Sequence, residues 1–141
     1  MRVNFISVRP KGFRLSDSVY PSLDFRVIRE GYARKYWKII NQHRELACFS
    51  SNANQSQMGT LCRSCSNIEQ CQLKLRLYFK INEMDSCLEL PLTSFQNYRL
   101  YKQRLSILRL DVKNIITQAF VKNRGYWGEV HFSRLHSEKN S

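Results

Sequence analysis

The clearest pattern in the chain is the alternation of apolar and polar residues over 73–81 (Leu-Lys-Leu-Arg-Leu-Tyr-Phe-Lys-Ile). Because successive side chains of a β-strand point to opposite faces, this alternation predicts a strand with one apolar face. The turn residues of 82–85 follow, and Leu88, Leu90 and Leu92 then resume the alternation. A hairpin with those leucines directed inward is therefore predicted. The other face of 73–81 carries three cations and a ring: Lys74, Arg76, Tyr78 and Lys80.

A helix is predicted to follow this hairpin over residues 94–107. Thr93 or Ser94 can cap its first turn, because a hydroxyl there accepts from a free backbone amide. Apolar positions then recur at spacings of three and four residues, which is typical of a helix with one buried face. These positions are Phe95, Tyr98, Tyr101, Leu105 and Leu108. Three cations lie off this stripe and make the outer side of the helix basic: Arg99, Lys102 and Arg104.

The segment 30–49 fits two different periods. In a helix, its tyrosines and isoleucines would share one side; in a hairpin, strands over 35–40 and 45–49 would pair with each other. We favour the strands, because aromatic and β-branched residues are enriched in sheets. Near the C-terminus, the β-branched segment 110–122, two glycines and the run 129–135 predict another hairpin.

The remaining segments divide the chain into parts. Residues 1–24 are a basic, weakly patterned lead-in with many turn residues, and 25–135 form the single predicted domain. Within that domain, the polar loop 50–60 leads into a group of cysteines, so we expect a metal loop over 48–71. Residues 136–141 are a polar tail.

Length and charge narrow the classes of function. The chain has 141 residues, the length of one domain, and 43% of them are hydrophobic, which is enough to fill a core. It carries 23 Lys and Arg against 11 Asp and Glu, a formal net charge of +12. Cations that neutralise phosphates gain affinity by releasing counterions. A polyanion is therefore the expected partner, and we favour nucleic acid.

Several other classes are not expected. No apolar run is long enough for a transmembrane helix, and the N-terminus lacks the apolar stretch of a secretory signal, so we expect a cytoplasmic protein. His43, His131 and His136 have no neighbouring carboxylate and nucleophile of the kind found in a catalytic triad. The acidic residues form no paired-carboxylate pattern, and no glycine-rich phosphate loop is present. We therefore predict neither an enzyme nor a site for a small-molecule substrate.

The spacing of the cysteines is the most specific feature of the chain. Cys48, Cys62, Cys65 and Cys71 follow the pattern C-x13-C-x2-C-x5-C. The C-x2-C pair places two thiolates on one turn, and two further cysteines complete a tetrahedron around a single ion. Such a closed site is structural, and bound metal would stabilise a polar loop that cannot bury itself. We predict a zinc site with these four ligands.

Other interpretations of the cysteines stay open. An iron–sulfur cluster also accepts four thiolates. Disulfides are disfavoured, because the chain has five cysteines and no secretory signal. Cys87 stands alone in a predicted strand, so we interpret it as a packing residue, with a role as a substitute ligand as the alternative.

Two resemblances follow from these residues. The C-x2-C-x5-C spacing is locally similar to WhiB-like iron–sulfur regulators and to cluster-bearing nucleases of the RecB type. However, WhiB-like proteins have their Gly-x-Trp-Gly turn shortly after the last cysteine, whereas the Gly-Tyr-Trp-Gly turn at 125–128 lies far beyond Cys71. The Asp…Glu-x-Lys catalytic set of the RecB-type nucleases is not present in the sequence. The layout of residues 47–135 resembles small zinc-bearing proteins of phages, plasmids and other mobile elements. The features that carry this resemblance are the order of the cysteines, the amphipathic strand, the Leu-x-Leu-Pro-x-Thr-Ser run of 88–94 and the spaced tyrosines. These small proteins are similar to OB-fold single-strand DNA-binding proteins, and the resemblance implies the four cysteines as metal ligands and no catalytic residue.

Together these observations predict a mainly β, α+β domain: a small OB-like barrel with one helix and the inserted four-cysteine metal loop. The expected function is sequence-tolerant binding of nucleic acid, with single-stranded DNA favoured, by cations that contact phosphates and rings that stack on bases. The predicted contact residues are Lys74, Arg76, Tyr78, Lys80, Arg34, Lys35, Trp37 and Lys38. Tyr36 and Trp127 are further candidates for stacking, with core packing as the alternative role of each ring.

Two other functions stay open. A transcription regulator that depends on zinc or on an iron–sulfur cluster would use the metal site to position a helix on duplex DNA. An assembly or adaptor protein would dock its basic face on an acidic protein or on ribosomal RNA.

Overall fold

The computed structural model describes residues 3–50, 52–56, 61–62 and 71–135, which form a mainly β fold with one α-helix. The strands and the helix are β1 (Asn4–Arg9), β2 (Gly12–Leu15), β3 (Ser18–Tyr20), β4 (Ser22–Phe25), β5 (Arg29–Ile40), β6 (His43–Ser50), β7 (Gln72–Ile81), β8 (Met84–Leu90), α1 (Phe95–Ile107), β9 (Thr117–Asn123) and β10 (Gly128–Arg134). Short 3-10 turns at Leu92–Ser94 and Val112–Asn114 flank the helix.

The strands belong to two sheets. Seven strands form one sheet in the order β3-β2-β1-β8-β7-β5-β6, and the other sheet has the order β10-β9-β4. The pairing of β1 with β8 is parallel, and the neighbouring strands are otherwise antiparallel. These pairings of the described strands give two sheets and do not show one closed barrel. The mainly β, α+β class is therefore confirmed at that level.

The core lies between the two sheets and α1. The apolar face of β7 supplies Leu75, Leu77 and Phe79, which are almost completely buried, as the alternation predicted. Phe79 stacks on Phe25 of the other sheet with ring centroids 4.1 Å apart. The buried face of α1 carries four of the five predicted residues: Phe95, Tyr98, Tyr101 and Leu105. Burying these large side chains supplies most of the stabilisation of the fold.

Three predicted hairpins are confirmed. β7 pairs with β8 across Asn82 and Glu83, and β9 pairs with β10. The ambiguous segment 30–49 forms strands, since β5 pairs with β6 across Asn41 and Gln42. All four turn residues have positive φ angles, as two-residue hairpin turns that match the right-handed twist of their strands require.

The structure corrects the interpretation of residues 1–24 as a weakly patterned lead-in. This segment contains β1, β2, β3 and most of β4, and it contributes the buried Ile6 and Phe13 to the core. The strands are three to six residues long and are separated by turns, so the alternation in each one is too short to recognise. The predicted tail, 136–141, lies outside the described residues.

Three details around the helix also differ from the prediction. Leu92 lies in a 3-10 turn after β8 has ended and is exposed, and Leu108 follows the end of α1 and is exposed as well. Ser94 makes no side-chain cap, because its hydroxyl accepts a hydrogen bond from the amide of Val130 at 3.0 Å. In the described part of the chain, no helix is both long and apolar enough to cross a lipid bilayer.

Candidate nucleic-acid interface

The register of the large sheet determines which side chains share its outer face. Residues paired across neighbouring strands lie side by side on one face. Arg76 of β7 is paired with Glu89 of β8, and Gln72 of β7 is paired with Lys35 of β5. Since side chains alternate, Lys74 lies on the same face as these residues. This outer face is opposite to the leucine face that packs in the core.

A groove of about 940 Å³ lies over this face. Five cations line it: Arg9, Lys35, Arg44, Lys74 and Arg76. Five aromatic side chains line it as well: Phe5, Trp37, Phe49, Tyr126 and Trp127. Glu89 is the single carboxylate among the described residues around it. We call this surface, with its five cations and five rings, the basic groove.

Glu89 is bonded to two cations at the floor of the basic groove. Its Oε1 lies 2.6 Å from the Nζ of Lys35, and its Oε2 lies 2.7 Å from Nη2 and 2.8 Å from Nε of Arg76. The guanidinium of Arg76 also lies 5.2 Å from the ring centroids of both Phe5 and Phe49. Because Arg76 is buried and contacts two rings, its donors point in fixed directions.

Charge and burial compete at this floor. Burial by itself raises the pKa of Glu89, but hydrogen bonds from Lys35 and Arg76 outweigh it, and the pKa of the carboxyl is lowered. Burial lowers the pKa of Lys74; the charge of Glu89 opposes this shift, while the charges of Lys35 and Arg44 add to it. The cations of the groove therefore repel one another, and an anion bound among them would relieve that repulsion.

The loop between β9 and β10 displays two rings at the groove. Tyr126 is fully exposed and Trp127 is 40% exposed. Gly125 has a φ of +94°, and its amide donates to the side-chain oxygen of Asn123 at 2.8 Å. Gly128 then passes so close to β1 that a Cβ would lie 2.4 Å from the carbonyl oxygen of Arg9. The glycines shape this loop, and the close contact at Gly128 keeps its base against β1.

The structure brings four of the predicted contact residues into the basic groove: Lys35, Trp37, Lys74 and Arg76. Tyr78 lies on the same face but outside the groove, with the guanidinium of Arg29 3.9 Å from its ring centroid. Lys80 is exposed near the other end of β7, in register with Asp85. The side chain of Lys38 lies outside the described part of the structure.

Arg34 is on the other face of the sheet. It is paired in register with Leu73 of β7, which belongs to the apolar face. Its guanidinium interacts with the thiol of Cys71. Tyr36, the further candidate for stacking, shares that face, since side chains two residues apart on a strand point the same way.

Sequence reasoning missed several residues of the groove. Phe5 and Arg9 lie in the segment interpreted as a lead-in, and Arg44 was placed in a turn. Tyr126 is next to Trp127 in a turn bounded by two glycines, and large rings in such a turn are a signal of a binding loop. That signal was available in the sequence, whereas the position of Phe5 depends on the parallel pairing of β1 with β8.

Three of the predicted metal ligands are described, and Cys65 lies outside the described residues. Cys62 is buried, and Cys48 and Cys71 are half-buried. Burial raises the pKa of Cys71, Arg34 acts in the opposite direction, and the charges of Cys62 and Cys48 add to the rise. Within the described ranges, no three His, Cys, Asp or Glu side chains are grouped closely enough to hold a metal.

Cys87 lies apart from the predicted metal ligands. It is fully buried in β8, and burial raises the pKa of its thiol to about 11. The thiol is therefore protonated at neutral pH and packs like a small apolar side chain.

Comparisons with protein-family models, with curated proteins and with solved structures found no match for this chain.

Proposed function

We propose that this protein binds single-stranded nucleic acid, with DNA favoured, in the basic groove and with little dependence on sequence. The observation that supports this proposal most directly is the groove itself, where five cations and five rings surround one carboxylate. Positive grooves lined with stacking rings are typical of proteins that bind single strands.

In this mechanism the cations contact the phosphates. Among the described residues, Glu89 is the counter-charge that acts on Lys74, and it is shared with Lys35 and Arg76; a phosphate beside Lys74 would oppose the lowering of its pKa by burial. Arg9 and Arg44 extend the positive surface toward both sides of the groove. Each phosphate that is neutralised releases counterions, which contributes affinity that falls with salt.

The rings would provide base stacking. Tyr126 and Trp127 expose ring surface on the loop, and Trp37 lines the groove from β5. Stacking of a base on an aromatic ring contributes about 1–3 kcal/mol and accepts every base, because all bases have a π-face. Bases inside a duplex are already stacked on each other, so these rings favour single strands.

The affinity of the Lys74→Glu variant for oligonucleotides tests this function. We expect the variant to bind a labelled oligothymidylate of about 16 nucleotides at least about tenfold more weakly than the parent. Lys113→Glu is the matched control, because Lys113 is exposed in a 3-10 turn and is not part of the groove lining. Its affinity should stay within about twofold of the parent, since it changes net charge equally but contacts no phosphate.

Two results would contradict the function. Equal losses in the Lys74 and Lys113 variants would show that only net charge matters. Tighter binding of a duplex of the same length would remove the single-strand preference and would support a regulator of duplex DNA.

We further propose that the two sheets together form an OB-like barrel. This is supported by two contacts between the sheets: the ring of Phe25 stacks on the ring of Phe79 with centroids 4.1 Å apart, and β10 begins against the end of β1. In such a barrel the basic groove lies across the face of the longest strands.

We also propose that Cys48, Cys62, Cys65 and Cys71 hold a structural zinc ion in the loop 48–71. The proposal is supported by the spacing of these four cysteines along the chain and by Arg34, which interacts with the thiol of Cys71 and whose buried Nε has no hydrogen-bond partner in the described structure. A cation there favours thiolates, which are the form that binds metal. An iron–sulfur cluster is the alternative that the same thiolates would accept.

Elemental analysis of the purified protein tests the metal site. We expect one zinc ion per chain in the parent and in Cys87→Ser, and none in Cys62→Ser. Cys87→Ser is the matched control because this thiol is buried away from the group. A parent protein without metal, or an equal loss of metal in both variants, would contradict the site. Iron in place of zinc, together with a brown colour, would show that the site holds an iron–sulfur cluster.

A further inference from the structure

The contacts of Glu89 have the form that a bound phosphate would have. A guanidinium presents parallel N–H groups that bind the oxygens of a carboxylate or of a phosphate in the same way. The Nε and Nη2 of Arg76 both donate to Oε2 of Glu89, and the ammonium of Lys35 donates to Oε1. The carboxylate of Glu89 therefore accepts hydrogen bonds from two cations that converge on it at the floor of the groove.

The donors of Arg76 have little freedom to find another anion. The guanidinium lies 5.2 Å from the ring centroids of both Phe5 and Phe49, and the side chain of Arg76 is only 9% exposed. A phosphate that reaches the floor of the groove must therefore compete with Glu89 for the same N–H groups. Both anions cannot be held there together, because two like charges at this distance repel each other.

We propose that Lys35 and Arg76 form a phosphate subsite, that Glu89 fills it in the free protein, and that a backbone phosphate displaces Glu89 when nucleic acid binds. This inference rests on the proposed function. Glu89 borders the open groove, so its side chain can turn toward water while Arg76 stays in place. The carboxylate thereby reduces the affinity for polyanions and prevents a buried arginine from being left without a counter-charge in the free protein.

A different role for Glu89 predicts the opposite result. If Glu89 stays bonded to Lys35 and Arg76 in the complex, it orients the floor of the groove, and removing its charge disorders the two cations. Glu89→Gln would then weaken binding. If a phosphate displaces Glu89, the same substitution removes the competitor and strengthens binding.

Affinity of Glu89→Gln for the labelled oligothymidylate separates the two roles. The matched control is Glu45→Gln, which changes the net charge equally on β6, the edge strand of the same sheet, at an exposed position that does not line the groove. We expect Glu89→Gln to bind at least about fivefold more tightly than Glu45→Gln at the same salt concentration. Equal or weaker binding would overturn the phosphate subsite. A parent that does not bind the oligonucleotide would overturn the proposed function itself.

A second measurement uses the parent protein and does not depend on the folding of a variant. The ¹³C signal of the Glu89 carboxyl carbon is followed by NMR during titration with the oligothymidylate, with the Glu45 carboxyl as the reference. Displacement predicts a large shift for Glu89 and little change for Glu45. Binding of the oligonucleotide without a shift of the Glu89 signal would overturn the inference and leave the nucleic-acid function intact.

Discussion

Glu89 is held in its charged form by Lys35 and Arg76, and this makes the stability of the fold depend on pH. The pKa of its carboxyl in the folded protein lies below the ordinary value of 4.5, because the hydrogen bonds from the two cations outweigh the effect of burial. A lowered pKa means that the unfolded chain binds a proton more readily than the folded protein. The stabilisation is therefore complete above the ordinary carboxyl range and is lost as the pH falls through the folded pKa.

Urea unfolding of the parent and of Glu89→Gln measures this contribution. At pH 7 we expect the variant to be less stable by about 2 kcal/mol, because hydrogen bonds to charged groups typically contribute about 1.5–3 kcal/mol. The difference should shrink as the pH falls below the carboxyl range, since the parent then loses the same charge. Glu45→Gln is the control, and we expect its free energy of unfolding to change little because Glu45 is exposed. A difference between parent and Glu89→Gln that persists or grows at low pH would contradict the assignment.

At the scale of the element, the loop between β9 and β10 carries two rings on a backbone that is held by a hydrogen bond and an ion pair. The amide of Arg124 donates to the carbonyl of Trp127 at 2.9 Å, and the guanidinium of Arg124 is paired with Glu129 at 3.0 Å. Because these bonds hold the backbone of the loop, the proposed stacking of Tyr126 on a base would carry little entropic cost for ordering the loop.

Tyr126→Ala tests the role of this loop. Since Tyr126 is fully exposed, removal of its ring should leave the melting temperature nearly unchanged. The free energy of binding to oligothymidylate should become less favourable by about 1–3 kcal/mol. Tyr20→Ala is the comparison, because Tyr20 is an exposed tyrosine on β3 that does not line the groove. Equal affinities of the Tyr126 and Tyr20 variants would show that the loop does not contact the bases.

The elements that could be predicted from sequence are those whose pattern is long enough to read. β7 alternates over nine residues, and α1 repeats its apolar positions over more than two turns, so both were found with nearly correct ends. β5 and β6 were found as strands because of their aromatic and β-branched residues. β3 has three residues and an exposed surface, so no local pattern distinguishes it from a turn.

The basic groove could be predicted only in part, because it is assembled from distant segments. Lys74 and Arg76 were found from the polar face of one strand, which is a local property. Phe5 joins them only because β1 inserts beside β8, and Trp127 joins them only because Gly128 brings β10 against Arg9. These contacts depend on the pairing of strands far apart in sequence, about which the local alternation of polar and apolar residues carries no information.

At the scale of the whole molecule, the net charge of +12 attracts any polyanion, but only cations at the interface release counterions on binding. For single strands, the slope of log K against log salt is about −0.7 for each phosphate neutralised. The five cations of the groove, one of which is offset by Glu89, therefore predict a slope of about −3. Oligothymidylate binding measured over a series of salt concentrations gives this slope, and Lys74→Gln should make it shallower by about 0.7, whereas Lys113→Gln should not change it. A parent slope near zero would show that phosphates contribute little, and a slope much steeper than about −6 would show that cations outside the groove carry the contact.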